Sequence, residues 1–180
     1  MSQNTGYLAS TPANVSLGSG VSFVQQCIFP GLGRISIGSN VTFGYPYAPH
    51  FFGFHTVIVA EASESLITIG DNTEISNDVS LRAFHRIEIG SNCLIGDRGT
   101  IYDADMHEID PNYRKRSVGC VSPVKIGNNV WIGSQVIILR GVTIGDNSVV
   151  AAGSIVVHSI PPNSVAAGSP AKVTRVINNV

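Results

Sequence analysis

The sequence predicts an all-β chain wound as a parallel β-helix, and three observations support that fold class. An aliphatic-Gly-x-Asn tetrapeptide recurs at Ile37–Asn40, Ile69–Asn72, Ile89–Asn92, Ile126–Asn129 and Ile144–Asn147. Glycine makes up 19 of the 180 residues, which favours many turns over long helices. No apolar pattern of helical period is long enough to specify a helix. A repeat at a fixed spacing is the signature of a solenoid.

A six-residue step explains how each coil forms. Val124–Asn129 is followed by Val130–Gln135, Val136–Gly141 and Val142–Asn147, each beginning with valine. In extended chain, residues two apart face the same side, so Val124 and Ile126 point inward while Lys125 points outward. The Gly-Asn-Asn group then supplies residues that tolerate positive φ and can turn a corner. Three such edges return the chain to its start, about 4.8 Å higher.

Two gaps between repeats are longer than one coil and predict inserted loops, near 44–60 and 103–122. After the last coil, Ile160-Pro-Pro-Asn-Ser breaks the pattern, and a capping strand is expected near 171–177. We therefore expect one domain spanning 1–180. Loops that project from a rigid scaffold are where binding and catalytic residues are usually found.

Composition excludes several classes of function. Eleven basic and 12 acidic residues give a net charge of −1, without the basic patch that nucleic-acid binding needs. No apolar stretch approaches the ~20 residues of a membrane span. Met1–Val15 lacks the pattern of a signal peptide, and the three cysteines lack CxxC spacing, so we expect a reduced, cytoplasmic protein. The 43% hydrophobic content must fill a core and, we expect, a subunit interface.

His107 is the strongest catalytic candidate, because it lies in the second inserted loop shortly after two carboxylates, Asp103 and Asp105. An imidazole can take a proton near neutral pH, and a carboxylate can fix its tautomer. Two alternatives stay open on spacing alone. The histidine could be solvated, or the alternating Asp103, Asp105 and His107 could share a face and ligate a metal.

The segment from His107 through Pro123 to Trp131-Ile-Gly-Ser resembles the catalytic segment of the maltose, galactoside and nodulation-factor O-acetyltransferases. His107 precedes Pro123 by 16 residues and Trp131 by 24. The preceding Asp-x-Asp-x-His pattern resembles polysaccharide O-acetyltransferases. The resemblance implies a left-handed parallel β-helix of about seven coils, assembled as a homotrimer with active sites between subunits.

The resemblance also implies roles for individual residues. His107 would be the general base, oriented by Asp105, Asp103 or a backbone carbonyl. A backbone N–H near Ser134 would stabilise the oxyanion. The residues that correspond to positions near coenzyme A are Trp131, Ser134, Ala152, Lys172 and Arg175. Trp131 could instead be a packing residue, and Lys172 and Arg175 could belong to a solvated strand.

The function implied is acetyl-CoA-dependent O-acetylation of a sugar hydroxyl, in surface polysaccharide or its precursor, without a metal. The alternatives are N-acetylation of an amino sugar, acetylation of a xenobiotic, and an inactive scaffold. The aromatic segment Tyr45–His55 is interpreted as a sugar platform or subunit contact, with a buried lid as the alternative. We interpret His50, His55 and His85 as structural.

Overall fold

The computed structural model describes residues 14–178, which form strands, turns and bends without an α-helix. No helix in this range is long and apolar enough to cross a membrane. The strands of the described residues are β1 (Val15–Leu17), β2 (Ser22–Phe23), β3 (Cys27–Ile28), β4 (Arg34–Ile37), β5 (Thr42–Phe43), β6 (Thr56–Ala60), β7 (Leu66–Ile69), β8 (Glu74–Ile75), β9 (Ser80–Ala83), β10 (Arg86–Ile89), β11 (Leu94–Ile95), β12 (Thr100–Tyr102), β13 (Val124–Ile126), β14 (Trp131–Ile132), β15 (Ile137–Ile138), β16 (Thr143–Ile144), β17 (Val149–Val150), β18 (Ile155–Val156), β19 (Ser164–Gly168) and β20 (Ala171–Val176).

The strands form three parallel sheets, which are the three sides of a triangular prism. Sheet I has the order β1-β4-β7-β10-β13-β16, and sheet III has the order β3-β6-β9-β12-β15-β18. Sheet II runs β2-β5-β8-β11-β14-β17-β19-β20, and its last pair is antiparallel. The chain visits the sheets in the order I, II, III, so each coil contributes one strand to each side.

The repeated aliphatic residues stack into a continuous column inside the prism. Register pairs join Leu17, Ile37, Ile69, Ile89, Ile126 and Ile144 from one coil to the next. The five isoleucines of this column are buried. Truncating one of them to alanine would destabilise the fold by about 2–5 kcal/mol.

The asparagine and the glycine of each repeat have different roles at the corners between sheets I and II. The repeat asparagines adopt positive φ, from 54° at Asn129 to 59° at Asn92 and Asn147. Their side-chain amides bond along the prism, as from Asn129 to Asn147 at 3.0 Å. The repeat glycine is needed for close approach instead, because a Cβ at Gly70 would lie 2.6 Å from the backbone carbon of Gly90.

Two loops leave the prism at different corners. The first, residues 44–55, connects β5 to β6 at the corner between sheets II and III. The second, residues 103–123, connects β12 to β13 at the corner between sheets III and I. Because the prism is triangular, the second loop leaves from the corner opposite sheet II.

Candidate active site

His107 lies near the outer part of the second loop, which is an antiparallel ribbon. Backbone bonds join Asp105 N–H to the Cys120 carbonyl at 2.9 Å and Gly119 N–H to the Asp105 carbonyl at 3.0 Å. The exposed imidazole has its Nδ1 atom 3.0 Å from the carbonyl oxygen of Arg114. A carbonyl oxygen can only accept, so Nδ1 carries the proton and a neutral ring has its lone pair on Nε2. This is the tautomer that a general base requires.

Asp103 does not orient His107, contrary to one of the expectations from the sequence. Its carboxylate is fully buried and accepts three backbone N–H bonds, from Phe84 and His85 at 2.8 Å and from Arg86 at 2.7 Å. These donors belong to the corner of the preceding coil. Asp103 therefore anchors the base of the loop, and its oxygens are already satisfied.

Asp105 does not orient His107 either. Its Oδ2 atom forms an ion pair with Nε of Arg140 at 2.7 Å, and both side chains are about one-third exposed. Arg140 follows β15, so the pair ties the ribbon to the next coil. The Asp105 carboxylate also raises the pKa of Arg140. Of the three orienting groups that the sequence left open, the structure provides the backbone carbonyl.

The alternative of a metal site at Asp103, Asp105 and His107 is contradicted by the same contacts. One carboxylate is bound to backbone N–H groups and the other to a guanidinium, so the three side chains do not converge. Within residues 14–178, no three His, Cys, Asp or Glu side chains are grouped in a way that could hold a metal ion.

A groove of about 520 Å³ runs along the outer face of sheet II. Its lining residues are Gly96, Trp131, Gly133, Ser134, Val149, Val150, Ala151, Ala152, Val165 and Arg175. Four of the five residues expected near coenzyme A thus line one groove, and Lys172 does not. Trp131 is 55% exposed, so it is a wall of the groove rather than a core residue. Arg175, on β20, supplies a positive charge.

The backbone N–H of Ser134 is available at one edge of this groove. A Cβ at Gly96 would lie 2.5 Å from the Ser134 nitrogen, so glycine allows the coils to stack closely here. The N–H of Ser134 has no acceptor among the described residues. The Ser134 hydroxyl donates to Oδ1 of Asp97, a buried residue that is 6% exposed. The hydroxyl proton is therefore already used in a hydrogen bond, and the backbone N–H is the free donor at this position.

The structure does not bring His107 and this groove together within one chain. His107 is not among the lining residues, and its loop leaves the corner opposite sheet II. A site that uses both features must combine the loop of one copy with the groove of another.

The first loop contains features that sequence reasoning missed. The Nδ1 atom of His50 lies 3.0 Å from Oδ2 of Asp97. The other carboxylate oxygen of Asp97, Oδ1, accepts the hydrogen bond from the Ser134 hydroxyl. The loop is not a buried lid, because Tyr47 is 87% exposed and Phe52 is 84% exposed. The side chain of Asn77 fixes the start of the loop by accepting from Tyr45 N–H and donating to its carbonyl, both at 2.9 Å. Nothing in the local sequence links His50 with Asp97.

Known proteins with hexapeptide repeats are similar to this chain. A family profile described as "Bacterial transferase hexapeptide (six repeats)" matches residues 123–158. The chain is 46% identical over 115 residues to galactoside O-acetyltransferase of Escherichia coli (strain K12). The alignment covers 64% of this chain and 56% of that protein. This chain thus spans little more than half the length of that relative.

Solved structures extend the similarity over most of the chain. A maltose O-acetyltransferase from Clostridium difficile 630 superimposes with a TM-score of 0.60 at 36% identity, covering 87% of this chain and 71% of that one. A galactoside acetyltransferase in complex with coenzyme A gives a TM-score of 0.62 at 32% identity, covering 94% and 74%. The resemblance that began with the segment from His107 to Trp131 therefore holds for the whole fold. The chain belongs to the hexapeptide-repeat acetyltransferases and has their left-handed parallel β-helix.

Proposed function

We propose that this protein is an acetyl-CoA-dependent O-acetyltransferase that acts on a sugar hydroxyl. The observation that carries the proposal is the hydrogen bond from His107 Nδ1 to the Arg114 carbonyl, because it leaves Nε2 as a base on an exposed loop. The similarity to galactoside and maltose O-acetyltransferases supports the choice of acceptor class.

The reaction follows from these groups. Nε2 of His107 takes the proton of the acceptor hydroxyl as the oxygen attacks the thioester carbonyl. The Ser134 N–H stabilises the negative charge that develops on the carbonyl oxygen. The carbon–sulfur bond then breaks, and the imidazolium returns its proton to the leaving thiolate. The products are an acetyl ester and free coenzyme A.

The groove on sheet II fits the cofactor. The small residues Gly133 and Ala152 leave room for a pantetheine arm beside Trp131, and Arg175 offers its guanidinium to a phosphate. Lys172 does not line the groove. No metal is needed in this scheme.

The active site would lie between copies of the chain, in a homotrimer. The separation of His107 from the groove within one chain supports this assembly. The Asp-x-Asp-x-His pattern of residues 103–107 supports surface polysaccharide or its precursor as the acceptor. Three free cysteines, of which Cys27 and Cys93 are buried, fit a cytoplasmic location.

The test is a screen of acetyl transfer from acetyl-CoA, read as release of free thiol and as an acetylated product by mass spectrometry. Methyl β-galactoside, maltose, amino sugars, nucleotide sugars and oligosaccharides are the acceptors. A Cys120→Ser background removes the exposed thiol of the protein from the readout. We expect an O-acetyl ester of a sugar. Acetylation of amines alone would contradict the proposal, and a lack of coenzyme A binding would identify an inactive scaffold.

A further inference from the structure

An imidazole–carboxylate pair lies at the corner that bears Ser134, and the mechanism above does not use it. Nδ1 of His50 is 3.0 Å from Oδ2 of Asp97, while Oδ1 accepts the Ser134 hydroxyl. The side chains of His50 and Asp97 are 23% and 8% exposed. Nε2 of His50 has no hydrogen-bond partner among the described residues, so the ring keeps one nitrogen available to a ligand.

The loop holds this imidazole in a fixed position. His50 has a φ of 60°, in the left-handed region that the corner residues Asp78, Arg98 and Gln135 also occupy. The side chain of Gln25, which is only 2% exposed, donates to the His50 carbonyl at 2.8 Å. This bond fixes the backbone of His50 against the corner between sheets II and III.

One aromatic ring packs against the imidazole of His50. The ring of Phe54 meets that of His50 edge to face, with centroids 5.5 Å apart. Phe54 is 44% exposed, and Phe52 on the same loop is 84% exposed. Exposed apolar rings beside a fixed polar group suit a ligand with apolar faces and hydroxyl edges, which describes a saccharide.

We propose that His50 binds the acceptor saccharide, with Nε2 hydrogen-bonded to a sugar hydroxyl other than the one acetylated. The inference rests on the proposed function, because Ser134 in the cofactor groove is what places His50 near the reacting carbonyl. Asp97 is a positioning residue: it holds the imidazole of His50 and the hydroxyl of Ser134 with its two oxygens.

Kinetics with the two variants His50→Phe and His50→Gln test the assignment. With methyl β-galactoside or maltose as acceptor, we expect His50→Phe to raise the acceptor KM at least tenfold and to change the acetyl-CoA KM less than twofold. His50→Gln should recover part of the loss, since the amide oxygen of glutamine can still accept a hydrogen bond from a sugar hydroxyl. His55→Gln is the matched control, because His55 is exposed on the same loop and its side chain has no hydrogen-bond partner among residues 14–178. An acceptor KM within twofold of the unmodified protein in His50→Phe would overturn the inference.

A measurement without turnover separates this inference from the proposed function. In protein saturated with coenzyme A and labelled at the imidazole nitrogens, methyl β-galactoside or maltose should shift the Nε2 resonance of His50 and not that of His55. Sugar-induced shifts without coenzyme A binding would contradict the proposed function and leave the sugar site intact. No shift of His50 with either sugar at saturation overturns the inference. The inference is also overturned if His50→Phe changes the oligomeric mass of the protein but leaves the acceptor KM unchanged. That result would assign the loop to contact between copies of the chain.

Discussion

The imidazole of His107 is oriented by the carbonyl oxygen of Arg114, seven residues further along the same loop, at 3.0 Å from Nδ1. Catalytic histidines are often oriented by a carboxylate, which also stabilises the imidazolium. A neutral carbonyl fixes the same tautomer with a smaller charge interaction. The orientation and tautomer of His107 therefore depend on the shape of the loop rather than on a partner side chain.

The first prediction concerns the base itself. His107→Ala should lower kcat by about 10²–10⁴-fold, because general base catalysis contributes that much. The dissociation constant of coenzyme A should stay the same, since the imidazole acts on the acceptor hydroxyl and does not hold the coenzyme. Steady-state kinetics and calorimetric titration measure the two quantities. His85→Ala is the control, because His85 is another exposed histidine at the corner between sheets III and I. Comparable losses in both variants would contradict the assignment.

The second prediction tests the dependence on loop shape. A Cβ at Gly119 would lie 2.6 Å from the His107 carbonyl oxygen, so Gly119→Ala must displace the backbone of His107. We expect kcat to fall at least tenfold with little change in the acetyl-CoA KM. Ser117→Ala, at an exposed position of the same ribbon, should leave kcat unchanged. An unchanged kcat in Gly119→Ala would show that the position of the ring tolerates movement.

Much of this architecture could be predicted from the sequence because the hexapeptide pattern is local. Alternation and corner residues recur within six positions, so the strands, the turns and the column of isoleucines follow directly. The glycine and the asparagine of each repeat were expected to serve the turn together. Their separate roles depend on the neighbouring coil, as the contact between Gly70 and Gly90 illustrates.

The side-chain partners of the candidate site could not be predicted in the same way. Alternation suggested one shared face for Asp103, Asp105 and His107, but the loop pairs with itself as a ribbon. Asp103 turns into the corner of the preceding coil, and Asp105 meets Arg140 from the next one. Contacts between coils set these partners, and the spacing of residues along the chain does not record them.

The third prediction separates the two aspartates by stability. Asp103→Asn should lower the free energy of unfolding by about 2–4 kcal/mol, because an amide NH₂ would face a buried backbone donor. Asp105→Asn should lower it by less than about 1 kcal/mol, as is typical of a part-exposed ion pair. Urea denaturation of both variants measures the difference. Equal effects would contradict the anchoring role of Asp103.

The fourth prediction concerns the three thiols. Burial raises the pKa of Cys27 and of Cys93 above the ordinary value of 9.0, whereas Cys120 is exposed. A thiol reagent at pH 8 should therefore label one cysteine per folded chain, and Cys120→Ser should abolish that labelling. Below pH 9 the thiols of Cys27 and Cys93 are protonated in both the folded and the unfolded chain, and their contribution to stability is complete. Above pH 9 these thiols ionise in the unfolded chain before they ionise in the folded chain, so the free energy of unfolding falls as the pH rises. Rapid labelling of a second thiol in folded protein would contradict the burial.

The last prediction uses the single tryptophan as a reporter of the groove. Trp131 is more than half exposed and lines the groove together with Ser134 and Ala152, so a bound pantetheine arm must cover its ring. Coenzyme A should therefore change the tryptophan fluorescence in a saturable manner. Trp131→Ala should raise the acetyl-CoA KM about tenfold. A tenfold change corresponds to about 1.4 kcal/mol, which is the free energy expected when part of an aromatic face is no longer buried by the ligand. The Ala152→Leu variant fills the same groove from the next coil and should weaken binding while Trp131 remains. If coenzyme A binds Ala152→Leu as tightly as the unmodified protein, the cofactor lies elsewhere.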